Sequence, residues 1–340
     1  MVLDSLIAQE VVFERLNKDF LNEQVSQVYL FHGPSGVGKL KVAEFFSKKI
    51  LCESFESPCN ICLSCEKFDS AVHLDFLKIS LSDDKKKGKI ETIRQEILPR
   101  VYQKANEGNS KVFIFDGADK MTLASFNSLL KVIEEPPLHT FFIFITSNLY
   151  AIPITILSRC RKVRFQPLGR EKLKKILSVN YEASEEEIEK LISLNFLDAD
   201  LISSEAIEIA ENCRGQALSF LKEIAKSPAE VNPIDLMNLT IVKFDHSKPQ
   251  RDNALSFLIS IRSLLRDMLV LQLGSEDLLF WNVDIERSLK KIVLDWSQSD
   301  LISAFLITEK SIKDLTVLNT NSSLTLESLV HTIRSFLIER

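Results

Sequence analysis

Gly33-Pro34-Ser35-Gly36-Val37-Gly38-Lys39-Leu40 is the stretch whose reading decides the fold. Its first seven residues fit the G-x-x-x-x-G-K pattern of a phosphate-cradling loop. Glycines let backbone N–H groups close on phosphate oxygens, and the lysine reaches the outer phosphates. The next position needs Ser or Thr, whose hydroxyl helps to hold Mg²⁺. Leu40 cannot ligate a metal. Upstream, Val28-Tyr29-Leu30-Phe31 is a short β-rich apolar run entering the loop. Downstream, Val42, Phe45, Phe46 and Ile50 recur at helical spacing and predict a helix over 39–50. Strand, loop and helix in this order supply the context that the motif requires. They predict a nucleotide-binding fold whose loop lacks one element of hydrolysis.

Further apolar runs at 76–80, 112–116 and 141–146 predict three more strands. Because they are continuous rather than alternating, and separated by helices, they predict a parallel sheet buried on both faces. From Arg170 to about Ser227 the pattern changes to short, charged amphipathic helices. Ser227-Pro228-Ala229-Glu230-Val231-Asn232-Pro233 then reads as a linker. Beyond it, apolar residues at three- and four-residue steps predict helices over 255–273, 301–315 and 324–338, with Leu324, Leu326, Leu329, Ile333 and Leu337 as packing positions. The expected division is an α/β P-loop domain at 1–168, a small helical domain at 169–227 and an all-helical domain at 228–340.

The chain has 340 residues, 45% hydrophobic and 26% charged, which fits two or three globular domains and excludes wholesale disorder. A net charge of −5 argues against wrapping DNA directly, since phosphate neutralisation supplies most non-specific affinity. The run Lys85-Lys86-Lys87 reads most simply as a solvated loop. No apolar run reaches the roughly 20 residues that span a bilayer. The N-terminus lacks a signal-peptide pattern, so a cytoplasmic protein without membrane contact is expected. Four of the six cysteines fall between positions 52 and 65, which in a reducing compartment points to metal rather than disulfides.

Cys52, Cys59, Cys62 and Cys65 form C-x6-C-x2-C-x2-C, a spacing at which four thiolates can converge on one Zn²⁺. A closed four-ligand site of this kind is structural. His73, close by, reads as a polar loop residue rather than a further ligand. Asp116 ends a strand expected to lie beside the loop strand, where a Walker-B carboxylate supports Mg²⁺. Gly117 follows it where a water-polarising Glu would stand in hydrolysing chains, and Asp119 is placed to point elsewhere. Metal and water each lose a ligand, which argues against efficient hydrolysis and leaves ATP or ADP binding open. The nucleotide-contacting set is therefore Gly33, Gly36, Gly38, Lys39 and Asp116. Ser158-Arg159-Cys160 follows the fourth predicted strand, and Arg159 is either an ordinary surface arginine or a finger for a neighbour's nucleotide. Cys160 and Cys213 read as small core residues.

In chain order, these features are strand-GPSGVGK-helix, the four-cysteine knuckle, Phe115-Asp116-Gly117-Ala118-Asp119, the helix running into Glu134-Glu135-Pro136-Pro137, and Ser158-Arg159-Cys160. Together they resemble the AAA+ subunits of the bacterial DNA polymerase III clamp loader, and among these the delta-prime type. Leu6-Ile7-Ala8-Gln9 looks like the family's adenine-side box, and Asn319-Thr320-Asn321 with Leu326-Glu327-Ser328-Leu329 looks like its closing helix. The resemblance implies a RecA-like parallel sheet, a helical lid and a helical collar that assembles a five-subunit ring with motor and delta-like subunits. It implies loading of the sliding clamp onto primed DNA, with the DNA contacted indirectly. It assigns Arg159 as an arginine finger in trans, and Thr146 or Asn148 to the sensor-1 region. Arg214 stands one step from the arginine position of motor subunits. The competing reading is the ATP-hydrolysing motor subunit of the same machine; Leu40 and Gly117 favour the non-hydrolysing stator. A small-molecule kinase is disfavoured by the lack of an acceptor pocket or a catalytic arginine cluster.

Overall fold

A computed structural model of the chain describes residues 9–22, 24–54, 57–81, 91, 93–180, 184–194, 204–226, 250–274, 280–316, 318 and 320–338. The lysine run at 85–87, most of the box at 6–9, the linker at 227–233 and Asn319 lie outside the described residues. The chain divides into two compact units, Met1–Val179 and Asn180–Arg340.

In the first unit, α1 (Glu10–Leu21) precedes β1 (Val28–His32), which runs into the loop and α2 (Lys39–Leu51). There follow α3 (Leu63–Asp69), β2 (Phe76–Ser80), α4 (Leu98–Tyr102), β3 (Lys111–Asp116), α5 (Leu123–Glu134), β4 (Thr140–Thr146), α6 (Ile154–Leu157) and β5 (Arg161–Arg164). The five strands form one parallel sheet in the order β2-β3-β4-β1-β5. This is the AAA+ type of RecA-like sheet. The order corrects one expectation: β3, which ends in Asp116, does not lie beside β1, because β4 stands between them.

Strand alternation sends β1 side chains to both faces, and both are buried. Val28 and Leu30 join a core with Phe113, Phe115, Phe142, Phe144 and Phe126. Within it the Phe115 and Phe144 rings stack at 4.8 Å and Phe113 and Phe142 at 5.4 Å. Such a pair contributes about 0.5–1.5 kcal/mol beyond its buried area. Tyr29 and Phe31 point the other way, onto Phe46 of α2 and Phe165. The edge strand β5 carries Arg161, Lys162, Val163 and Arg164, of which only Val163 is buried.

The second unit is helical among its described residues: α8 (Glu185–Ser193), α9 (Ser204–Lys226), α10 (Gln250–Leu273), α11 (Glu286–Ile292), α12 (Gln298–Thr316) and α13 (Ser322–Ile338), preceded by α7 (Arg170–Asn180) at the boundary. One core joins Phe220, Leu221 and Ile224 of α9 to Phe257, Ile261, Leu264 and Met268 of α10, Leu301 of α12 and Leu329 and Ile333 of α13. Leu324, expected to pack, is instead 63% exposed in the first turn of α13, off the stripe that buries Leu326 and Leu329. Asp267 is fully buried and is satisfied by Arg266 Nη1, the backbone N–H groups of Trp281 and Asn282, and Asn282 Nδ2. A buried carboxylate tolerates this position because each bond compensates lost hydration.

Candidate nucleotide loop, cysteine cluster and projecting arginine

The loop leaves the carboxyl end of β1, where the strand order reverses between β4 and β5. Parallel α/β sheets hold ligands in that crevice. Gly33 has φ +152°, and a Cβ there would lie 2.4 Å from the Phe165 carbonyl oxygen, so the close approach of the loop to the chain after β5 requires glycine. Lys39 is buried, 7% exposed. Its Nζ donates to the carbonyls of Gly33 (2.9 Å) and Pro34 (2.5 Å) and to Ser147 Oγ (3.3 Å). Gln9 Nε2 donates to the carbonyls of Val37 (3.3 Å) and Gln166 (3.0 Å). The loop is thus bonded to itself and its flanks, with its lysine turned inward onto its own backbone.

Asp116 is half-buried at the end of β3. Burial raises its carboxyl pKa above the usual range, against the pull of the Lys39 and Lys78 ammonium groups. Gly117 takes a left-handed backbone, φ 79°, to start the short turn Ala118–Lys120, so a Glu at this position would carry strain as well as a carboxylate. Asp119 Oδ1 accepts from Thr146 Oγ1 (2.8 Å) and from the Ser147 N–H (3.4 Å), which turns it onto the end of β4. The Thr146 hydroxyl also accepts the Asn148 N–H (3.0 Å), and Asn148 Oδ1 accepts the Tyr150 N–H (3.1 Å). The side chain after β4 that reaches Lys39 is therefore Ser147, which sequence reasoning missed. Its only signal was its place one residue beyond a predicted strand end.

The donor set gives a split answer about nucleotide. A phosphate group fits the glycine backbone and the opening turn of α2, with Lys39 redirected from its carbonyls. Mg²⁺ would meet Asp116 but no hydroxyl, since Leu40 is aliphatic and half-buried.

The four cysteines converge. The sulfur atoms of Cys52, Cys59, Cys62 and Cys65 all lie within 4.8 Å of one another. Cys52 Sγ is 3.6 Å from Cys59 Sγ and 3.9 Å from Cys62 Sγ. A tetrahedron of Zn–S bonds of about 2.3 Å places its sulfurs about 3.8 Å apart, so the donor set fits one zinc. Local structure builds the site. Cys52 ends α2, Cys62 caps α3, and backbone N–H groups of Ser54, Cys59, Cys62 and Cys65 donate to the sulfurs at 3.4–3.5 Å. These bonds favour thiolate. The Cys59 thiol is pulled down to about 6, chiefly by the Ile61 N–H, whereas burial pushes Cys65 up to about 12. His73 lies in the loop between α3 and β2 and outside the sulfur set, as expected, and it is buried. Its Nδ1 accepts the Asp75 N–H (3.1 Å), which leaves the proton on Nε2 to donate to Ser64 Oγ (3.0 Å). Ser64 in turn donates to the Leu51 carbonyl (2.7 Å), so His73 braces the knuckle from outside the sulfur set. Burial also lowers the imidazole pKa, consistent with a neutral ring.

Arg159 follows α6 on the surface, its side chain 37% exposed. Nη1 donates to the Thr155 carbonyl (2.9 Å) and Ser158 Oγ (3.1 Å), and Nη2 meets Glu134 Oε1 at 2.6 Å. Cys160 beside it is buried, and its thiol is pushed up to about 12 by desolvation, as expected of a small core residue. Cys213 is likewise buried. In the second unit Arg214 forms a fork with Asp284, Nη1 to Oδ1 at 3.0 Å and Nη2 to Oδ2 at 2.6 Å, and donates to Ser193 Oγ (2.8 Å). Its guanidinium ties α8 and α9 to the chain before α11.

Residues 8–169 match the family model described as "DNA polymerase III, delta subunit". Subunit tau of Bacillus subtilis is 29% identical over 226 residues, which is 66% of this chain and 39% of tau. Subunit gamma of Buchnera aphidicola subsp. Schizaphis graminum is 34% identical over 194 residues, 55% of this chain and 52% of gamma. The chain thus spans about half or less of these two relatives. With subunit delta' of Bacillus subtilis it shares 28% identity over 315 residues, 88% of either chain. The family model over residues 8–169 and the likeness to delta' along nearly the whole length agree in making this chain similar to DNA polymerase III subunits.

Proposed function

We propose that this chain is the delta-prime-type stator of a DNA polymerase III clamp loader. It braces a ring of motor and delta-like subunits that loads a sliding clamp onto primed DNA, and it offers Arg159 to ATP held by an adjacent motor subunit. The carrying observation is the aliphatic Leu40 at the opening of α2 in an otherwise intact loop. A chain built to turn over its own ATP keeps a hydroxyl there for Mg²⁺. Gly117, which has a left-handed backbone and no side chain to polarise water, supports the same reading. In this proposal the region 169–227 is the lid and 228–340 the collar, with five subunits in the ring, and the protein works in the cytoplasm; among the described residues no helix is long and apolar enough to cross a membrane.

ATP turnover by the isolated chain tests this. The expected rate is at background and insensitive to Lys39→Ala. Turnover that Lys39→Ala abolishes would establish the motor reading instead. The cysteine cluster is proposed to hold one structural zinc. Metal analysis should find about one zinc per chain, and Cys62→Ser should lower that content together with the melting temperature. A metal-free protein of undiminished stability would refute the site.

A further inference from the structure

The guanidinium of Arg159 is not loose on the surface. Three contacts from two elements define its plane. Nη1 lies on the Thr155 carbonyl, in the single turn of α6, and on Ser158 Oγ. The Ser158 hydroxyl itself donates to that same Thr155 carbonyl at 3.1 Å, so the seryl group is oriented before it accepts from arginine. The third contact comes from elsewhere in the chain. Glu134, the last residue of α5, places Oε1 2.6 Å from Nη2. The helix stops there, ahead of Pro136 and Pro137, which cannot continue it. Two N–H groups of the five, on Nε and Nη2, have no partner among the described residues. They remain for an incoming anion.

We infer that Glu134 is a positioning residue for Arg159: it holds the guanidinium so that its unpartnered N–H groups meet a phosphate of the neighbouring subunit without a search over rotamers. This rests on the trans-finger reading given above. The pair links 46%- and 37%-exposed side chains, and such exposed pairs contribute little to stability. Its consequence is therefore orientational. Donors already aimed at developing charge need no reorganisation when the reaction occurs. Glu134 touches neither nucleotide nor reacting atoms, and it acts through Arg159.

The test uses the reconstituted clamp loader with clamp and primed DNA, measuring steady-state ATP turnover for Arg159→Ala, Glu134→Ala, Glu134→Gln and the Glu134→Ala/Arg159→Ala pair. Glu134→Ala should lower kcat about three- to tenfold with KM for ATP and ring assembly unchanged. Glu134→Gln should keep more than half the rate, because the amide oxygen still accepts from Nη2. The double variant should be no slower than Arg159→Ala. An unchanged or faster Glu134→Ala complex, with Arg159→Ala slow, would overturn the positioning role and leave the finger standing. Glu134→Gln as slow as Glu134→Ala would also overturn it, since charge and not placement would then matter. An Arg159→Ala complex of full rate would remove the finger and this inference together.

Discussion

Two lysine- or arginine-bearing regions of the first unit treat their cations in opposite ways. In the phosphate loop, Lys39 is 7% exposed and its ammonium caps two carbonyls of its own loop. After α6, Arg159 stands on the surface with part of its guanidinium open to solvent. The first cation is held by its own loop; the second lies at the surface. On the proposed reading, the loop serves as scaffold, its glycine at 33 and its lysine joining β1, α2 and the chain after β5, while the chemistry is supplied by Arg159 to a neighbour.

Stability measurements can break or sharpen this contrast, because a scaffold residue and an offered residue differ in what they cost to remove. The largest loss is expected from Gly33→Ala, about 2–4 kcal/mol, from a strained backbone and a Cβ driven against the Phe165 carbonyl. Urea unfolding of the purified chain reads it; a loss under half a kcal/mol would mean that the loop is not a packed joint. Lys39→Ala should cost about 1–2 kcal/mol, since Gly33 and Pro34 lose a shared donor in a partly buried setting. A neutral Lys39→Ala would show that the inward lysine is not part of the scaffold. The smallest effect belongs to Arg159→Ala, under about 1 kcal/mol, as for other exposed pairs. If Arg159→Ala destabilises more than Lys39→Ala, the assignment of roles is inverted.

Much of the fold was legible because β1, β3 and β4 are buried on both faces and so write continuous apolar runs. The expected strands at 76–80, 112–116 and 141–146 differ from β2, β3 and β4 by a residue at most. The strand β5 was not legible: Arg161-Lys162-Val163-Arg164 holds one apolar residue, Val163, which is also its one buried residue. Strand order was misread for a related reason. Apolar runs reveal that strands exist but not which neighbour each takes, so the insertion of β4 between β1 and β3 needed three dimensions. At the sites, the cysteine convergence could be read from spacing, because four ligands within one short segment bring themselves together. Contacts across long separations could not. Glu134 with Arg159, Lys39 with Ser147 and Arg214 with Asp284 join residues 25 to 108 positions apart, and no periodicity records them.

The central claim is that this chain supplies an arginine to another subunit's ATP and does not turn over its own. The most direct measurement is the clamp- and DNA-stimulated ATPase of complexes reconstituted with Arg159→Ala or with Lys39→Ala in this chain alone. The account predicts a drop of about tenfold or more for Arg159→Ala and a rate within about twofold of wild type for Lys39→Ala. A complex slowed by Lys39→Ala and indifferent to Arg159→Ala would contradict it.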